Sequence, residues 1–97
     1  MTTQKITKLA NAFRSVEVDS YEFNDQNDYV EIKINPTVSV RDTHILISGE
    51  GNQDIADWYG EAHGGYPWIC EELEALAEKL GVIIEWQDAG TLSVYPE

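Results

Sequence analysis

Apolar residues recur at helical spacing in three stretches and alternate with polar ones through most of the rest. Ile6, Leu9, Ala10 and Phe13 share one face of a helix that Thr2 or Thr3 can cap and that runs to about Ser15. Ile55, Trp58, Tyr59 and Ala62 fall at i, i+3, i+4 and i+7, with Asp54, Asp57 and Glu61 on the other side, and predict a second helix. Ile69, Leu73, Leu76, Ala77 and Leu80 make a third stripe. Pro67 can open that helix, where a missing N–H costs nothing, and Gly81 stands at the expected left-handed C-terminal cap. Its opposite face carries Glu71, Glu74 and Glu78, with Glu72 at the edge, and His63-Gly64-Gly65-Tyr66 forms the corner before it.

Between and after these stretches the period is two. Val16 and Val18 alternate with Glu17 and Asp19, which predicts a strand over 15–23. The parity changes at Tyr21 and Phe23, so a β-bulge or bend is expected near Ser20. Asn24–Asp28 is a turn by composition, after which Val30, Ile32 and Ile34 face inward and Tyr29, Glu31 and Lys33 outward. Val38 and Val40, then Ile45 and Ile47, fit one bulged strand or two short ones. Val82–Trp86 and Thr91–Tyr95, joined by Asp88-Ala89-Gly90, read as a C-terminal hairpin. The order is α-β-β-β(-β)-α-α-β-β, an α+β class with an antiparallel sheet packed against helices. Residues 1–97 make one domain, with no repeat or linker.

Charge changes the picture. Eighteen acids stand against six bases, a net of −12 in a chain of ordinary charged content, 25%. Residues 1–16 hold Lys5, Lys8 and Arg14 and no acid, so residues 17–97 carry −15. Such a field repels nucleic acid and anionic lipid and speeds encounter with basic surfaces. The expected partner is therefore a basic protein, with no direct nucleic-acid or membrane contact. No run is long enough to span a membrane, no secretory leader is expected, and Cys70 is the single cysteine, which together fit a reducing cytosol.

The residues offer little for catalysis. There is no glycine-rich phosphate loop, paired-cysteine site or nucleophile elbow, and the acids fall on polar faces where solvent keeps them ionised. An enzyme is not expected. His63 with Asp57 and Glu61 could ligate a metal, but its spacing from Glu61 takes it off their face, and a loop histidine capping a helix end fits better. No metal or cofactor is expected, and His44 reads as a surface or half-buried strand residue. Trp58 and Trp86 read as core and helix–sheet contact. Tyr59, Tyr66 and Trp68 complete the aromatic signal, and Trp68, following two glycines, is a candidate interface anchor.

Accumulation of acids is what calls for a role, since surfaces usually intersperse both signs. Carboxylates three or four apart on a helix stand about 5–6 Å from one another. Phosphates along a nucleic-acid strand have a comparable spacing, an axial rise of about 3.4 Å lengthened by the winding. The first set of candidate contacts is Asp54, Asp57, Glu61, Glu71, Glu74 and Glu78. The second is Glu17, Asp19, Glu22, Asp25, Asp28 and Glu31.

With the runs Asp57-Trp58-Tyr59-Gly60-Glu61 and Gly64-Gly65-Tyr66-Pro67-Trp68-Ile69, this small acidic chain resembles phage or mobile-element proteins. Within that group it is most similar to anti-CRISPR proteins of the type I-F class that imitate double-stranded DNA. The resemblance covers the whole chain in length and charge and residues 57–69 in motif. It implies a non-enzymatic inhibitor that occupies the DNA-binding surface of the CRISPR RNA-guided surveillance complex in the bacterial host cytosol. The bases of residues 1–16 depart from a uniformly anionic mimic. Two alternatives stand beside it: an acidic adaptor or anti-restriction factor on another basic host DNA-binding protein, and an acidic surface serving solubility alone.

Overall fold

The computed structural model describes residues 3–60, 63, 65 and 67–96, with Thr3 as backbone alone. Expectations for the Thr2 cap, Glu61, Ala62 and Tyr66 lie outside the described residues, as does the side chain of Thr3. The chain opens with α1 (Thr3–Arg14), followed by β1 (Val18–Phe23), β2 (Tyr29–Ile34), β3 (Val38–Val40) and β4 (Ile45–Ser48). Two two-residue strands follow, β5 (Ala56–Asp57) and β6 (Trp68–Ile69), then α2 (Glu71–Leu80), β7 (Val82–Asp88) and β8 (Thr91–Pro96). The class is α+β, in roughly the expected order, and no described helix is long and apolar enough to cross a membrane.

The central sheet has the order β3-β4-β8-β7, all neighbours antiparallel. Because β8 pairs with both, β4 and β7 run parallel with β8 between them. The chain from β4 through α2 to β7 is thus a split β-α-β crossover. Register places Val38, Ile47, Leu92 and Trp86 in one row across the sheet and Val40, Ile45, Val94 and Ile84 in the next. This apolar face meets Ile6, Leu9, Ala10 and Phe13 of α1 and Leu73 and Ala77 of α2, all buried. The corresponding row on the opposite face is Ser39, Leu46, Ser93 and Glu85, polar apart from the half-buried Leu46.

The expected second helix does not form among the described residues. The Asn52 carboxamide oxygen accepts the Asp54 N–H at 2.7 Å, and the Asn52 carbonyl accepts from Ile55 and Ala56, which makes a turn. Asp57 does the same for Tyr59 N–H at 3.1 Å, and Gly60 then takes a positive φ of 67°. Both side chains offer the backbone a partner that a helix would have to displace. Ala56 and Asp57 instead pair with Ile69 and Trp68. That pairing also moves the start of α2 from Pro67 to Glu71, with Cys70 at the N-cap, and puts Ile69 on a strand rather than in the helical stripe. The C-terminal expectation is met: Gly81 has φ 68° and its N–H reaches the carbonyls of Ala77 and Glu78. Leu80, at the end of the stripe, is left largely exposed.

β1 and β2 form a separate two-stranded hairpin with unbroken register from Val18↔Ile34 to Phe23↔Tyr29, so the bulge expected near Ser20 is absent. The parity change has another cause. Val18 and Ser20 anchor the base of the hairpin in the body, while every residue from Tyr21 to Glu31 is exposed. The distal half is an arm with no core face, and Tyr21 and Phe23 remain outside. Its turn is tied by Asn24, whose side-chain oxygen accepts from the N–H groups of Gln26 and Asp28, both at 3.0 Å. Asn27 takes the left-handed conformation this loop needs, φ 64°. The molecule is accordingly elongated, 48 × 25 × 21 Å. Of the two readings for residues 38–48, two short strands is right, joined through Arg41–His44.

Candidate functional site

The base of the arm, the N-terminus of α2 and the loop after β4 meet around one cleft of about 270 Å³, lined by Val18, Asp19, Asp54, His63, Trp68, Cys70, Glu71 and Glu72. Asp54 ties its walls together. One carboxylate oxygen accepts from the buried Ser20 hydroxyl at 2.6 Å, and the other lies 3.1 Å from His63 Nε2. The His63 ring stacks on Trp68, centroids 3.6 Å apart and planes 9° apart. Asp54 is therefore a half-buried clamp and not the outward-facing contact that helical periodicity suggests. Trp68 is half-buried with one face covered by His63, so it is part of the cleft wall rather than a free anchor.

The remaining acids divide clearly. Glu71, Glu74 and Glu78 are exposed on α2 and, at i, i+3 and i+7, lie along one side of it. Glu17, Asp19, Glu22, Asp25, Asp28 and Glu31 are exposed on the arm and its approach. Asp19 from the arm and Glu71 and Glu72 from α2 share the cleft, which brings together the two acidic sets. Asp57 is the clear correction. It lies on β5, is 5% exposed and spends Oδ1 on Tyr59 N–H, so it has no place on an outer anionic face. Asp42, Glu50, Glu85 and Asp88 lie on the loops and strands of the central sheet, apart from this group.

Local electrostatics modify individual members. Lys33 donates to Asp19 across the hairpin, and this hydrogen bond with its charge attraction holds the ammonium above the ordinary lysine range. Tyr95 donates to Glu85, which raises the phenol in the same way on the far face of the sheet. Cys70 is buried beneath the cleft, and burial pushes its thiol up to about 11, so it is no nucleophile at neutral pH. Among the described residues no group of three His, Cys, Asp or Glu is arranged to hold a metal ion, and His63 pairs with Asp54 rather than Asp57.

Lys5 and Lys8 line a different groove with Leu9, Ala12, Leu80 and Val82. That places them near the C-terminal end of α2, about 15 Å of helix from the cleft at its N-terminal end. Lys5 and Lys8, at the start of α1, are thus set apart from the cleft, whereas Arg14, at its other end, is four residues before Val18 of the cleft wall. Trp58 and Trp86 pack edge to face, centroids 5.4 Å apart; both are half-buried, Trp86 against the core, and Trp58 follows β5 rather than standing on a helix.

Sequence reasoning placed Tyr29 outward but missed Tyr21 and Phe23 as surface features, and with them the cluster the three rings form. Tyr29 lies 4.2 Å from Phe23 and 6.4 Å from Tyr21, centroid to centroid, on the outer side of the arm. The signal was present: the parity break at Tyr21 marks where the strand leaves the core. No family model matches the chain, and neither a curated protein nor a solved structure shows significant similarity to it.

Proposed function

We propose that this chain is a non-enzymatic inhibitor whose carboxylates take the place of DNA phosphates on a cationic protein groove, with the type I-F CRISPR RNA-guided surveillance complex as its target. The observation that carries the reading is the shared cleft, where Asp19 of the arm stands with Glu71 and Glu72 of α2. Two acidic elements that are distant in sequence thereby adjoin. β1 is about 20 Å long and α2 about 15 Å, each roughly half the axial length of a duplex turn. Arginine would meet these carboxylates in bidentate, charge-assisted pairs. A target of this kind places the chain in the bacterial host cytosol.

The test is competition. Fluorescently labelled target duplex bound to the purified surveillance complex should be displaced by the chain, more weakly as salt rises. Glu71→Gln/Glu74→Gln/Glu78→Gln should weaken displacement roughly tenfold, at about 0.5 kcal/mol for each exposed pair. Simultaneous binding of duplex and chain to the complex would refute mimicry.

A further inference from the structure

The exposed rings of the arm are not explained by charge mimicry, and they form the largest aromatic surface on the described molecule. Tyr21, Phe23 and Tyr29 remain 61%, 58% and 70% exposed even though they pack on one another. A cross-strand cluster steadies a hairpin, but that purpose does not need three rings left so open to water. Register puts Glu31 directly across from Tyr21 on the ring-bearing side, and Asp25 and Asp28 border it in the turn. Lys33, the one base between residues 19 and 33, is engaged by Asp19. Flat aromatic faces next to carboxylates suit a planar cation that can stack and accept bidentate pairing at once, which is guanidinium rather than ammonium.

We infer that the ring face of the arm docks an arginine side chain on the surface of a basic protein partner, the guanidinium stacking on Tyr29 and Phe23 and pairing with Glu31. This rests on the proposed reading only in taking the partner to be basic. A second copy is a poor occupant, since it carries the same net charge of −12. Its two arginines are also spent on backbone carbonyls, Arg14 on Val38 and Arg41 on Val40. The rings add a contact that salt screens less than the charge pairs of α2.

Two measurements test this. In the first, hexa-arginine and hexa-lysine are titrated into the full chain at about 0.15 M NaCl while ring resonances are followed by NMR. Arginine should move the Phe23 and Tyr29 signals, and lysine should move them roughly threefold less or lower. Equal ring shifts with both peptides, or shifts confined to α2, overturn the inference. So does a dependence of the ring signals on the chain's own concentration, which would identify a second copy as occupant. In the second, Phe23→Ser/Tyr29→Ser is bound to the surveillance complex at about 0.15 M and about 0.5 M NaCl, its fold checked by thermal melting. The loss should be roughly tenfold at both salts. Undiminished affinity overturns the inference. If the wild-type chain does not bind that complex, the proposed target falls while the peptide titration still decides the role of the rings.

Discussion

Replacing Asp54 by alanine should cost far more stability than replacing any other acid on the cleft. In the folded chain the Ser20 hydroxyl is 1% exposed and donates to Asp54 at 2.6 Å, while Asn52 Nδ2 approaches the same hydroxyl at 3.4 Å. Alanine leaves that buried hydroxyl with no acceptor, and a hydrogen bond to a charged group is worth about 1.5–3 kcal/mol. The lost His63 contact is partly exposed and adds about 0.5 kcal/mol. The total is about 2–3.5 kcal/mol, or roughly 10–25 °C of melting temperature for a domain of this size. Removing one anion from so acidic a chain also relieves repulsion. Asp54→Asn makes the same charge change but keeps an oxygen acceptor, and it should recover much of the loss. Urea unfolding of Asp54→Ala, Ser20→Ala and the double variant gives the coupling, expected at about 1–2 kcal/mol. If the alanine and asparagine variants both unfold within about 0.5 kcal/mol of wild type, Asp54 is a surface acid and the clamp described here is wrong.

Two further outcomes follow from other parts of the fold. A Cβ at Gly49 would stand 2.6 Å from Trp86 Cζ3 and 3.2 Å from the Gly90 carbonyl carbon, so Gly49→Ala should cost about 1–3 kcal/mol and alter the near-ultraviolet circular dichroism of the Trp58–Trp86 pair. Most of that penalty should vanish in a Trp86→Leu background, and a full penalty there would place the clash elsewhere. Cys70 should react with a thiol reagent at pH 8 roughly a hundredfold more slowly than the unfolded chain, because its thiol is raised from 9.0 to about 11. Since the folded value is the higher, the associated stability is intact below pH 9 and lost as pH rises towards 11, and urea midpoints should fall over that window, less so in Cys70→Ala.

Much of the framework was legible in the order of residues. The stripes Ile6–Phe13 and Leu73–Ala77, the Gly81 cap and the alternation of Leu92 and Val94 each express a local period that one buried face enforces. The exposure of Glu71, Glu74 and Glu78 followed from the same periodicity. Residues 54–60 were misread because Ile55, Trp58 and Tyr59 satisfy helical spacing while Asn52 and Asp57 cap backbone N–H groups in turns. Pairing of Ala56–Asp57 with a strand eleven residues further on then settled the outcome. Hydrophobic spacing cannot distinguish those two uses of the same residues.

What the sequence determined by itself is the class, the two lasting helices, the hairpins and a chain of strong negative charge, because each depends on neighbours within a few positions. Which acids adjoin was decided only by the tertiary structure. Asp19 and Glu71 share a cleft, Asp57 is turned inward, Asp54 is held by Ser20, and three rings stand clear of the core on an arm. Those placements depend on contacts between residues far apart along the chain, and such contacts carry no local period for a sequence to display.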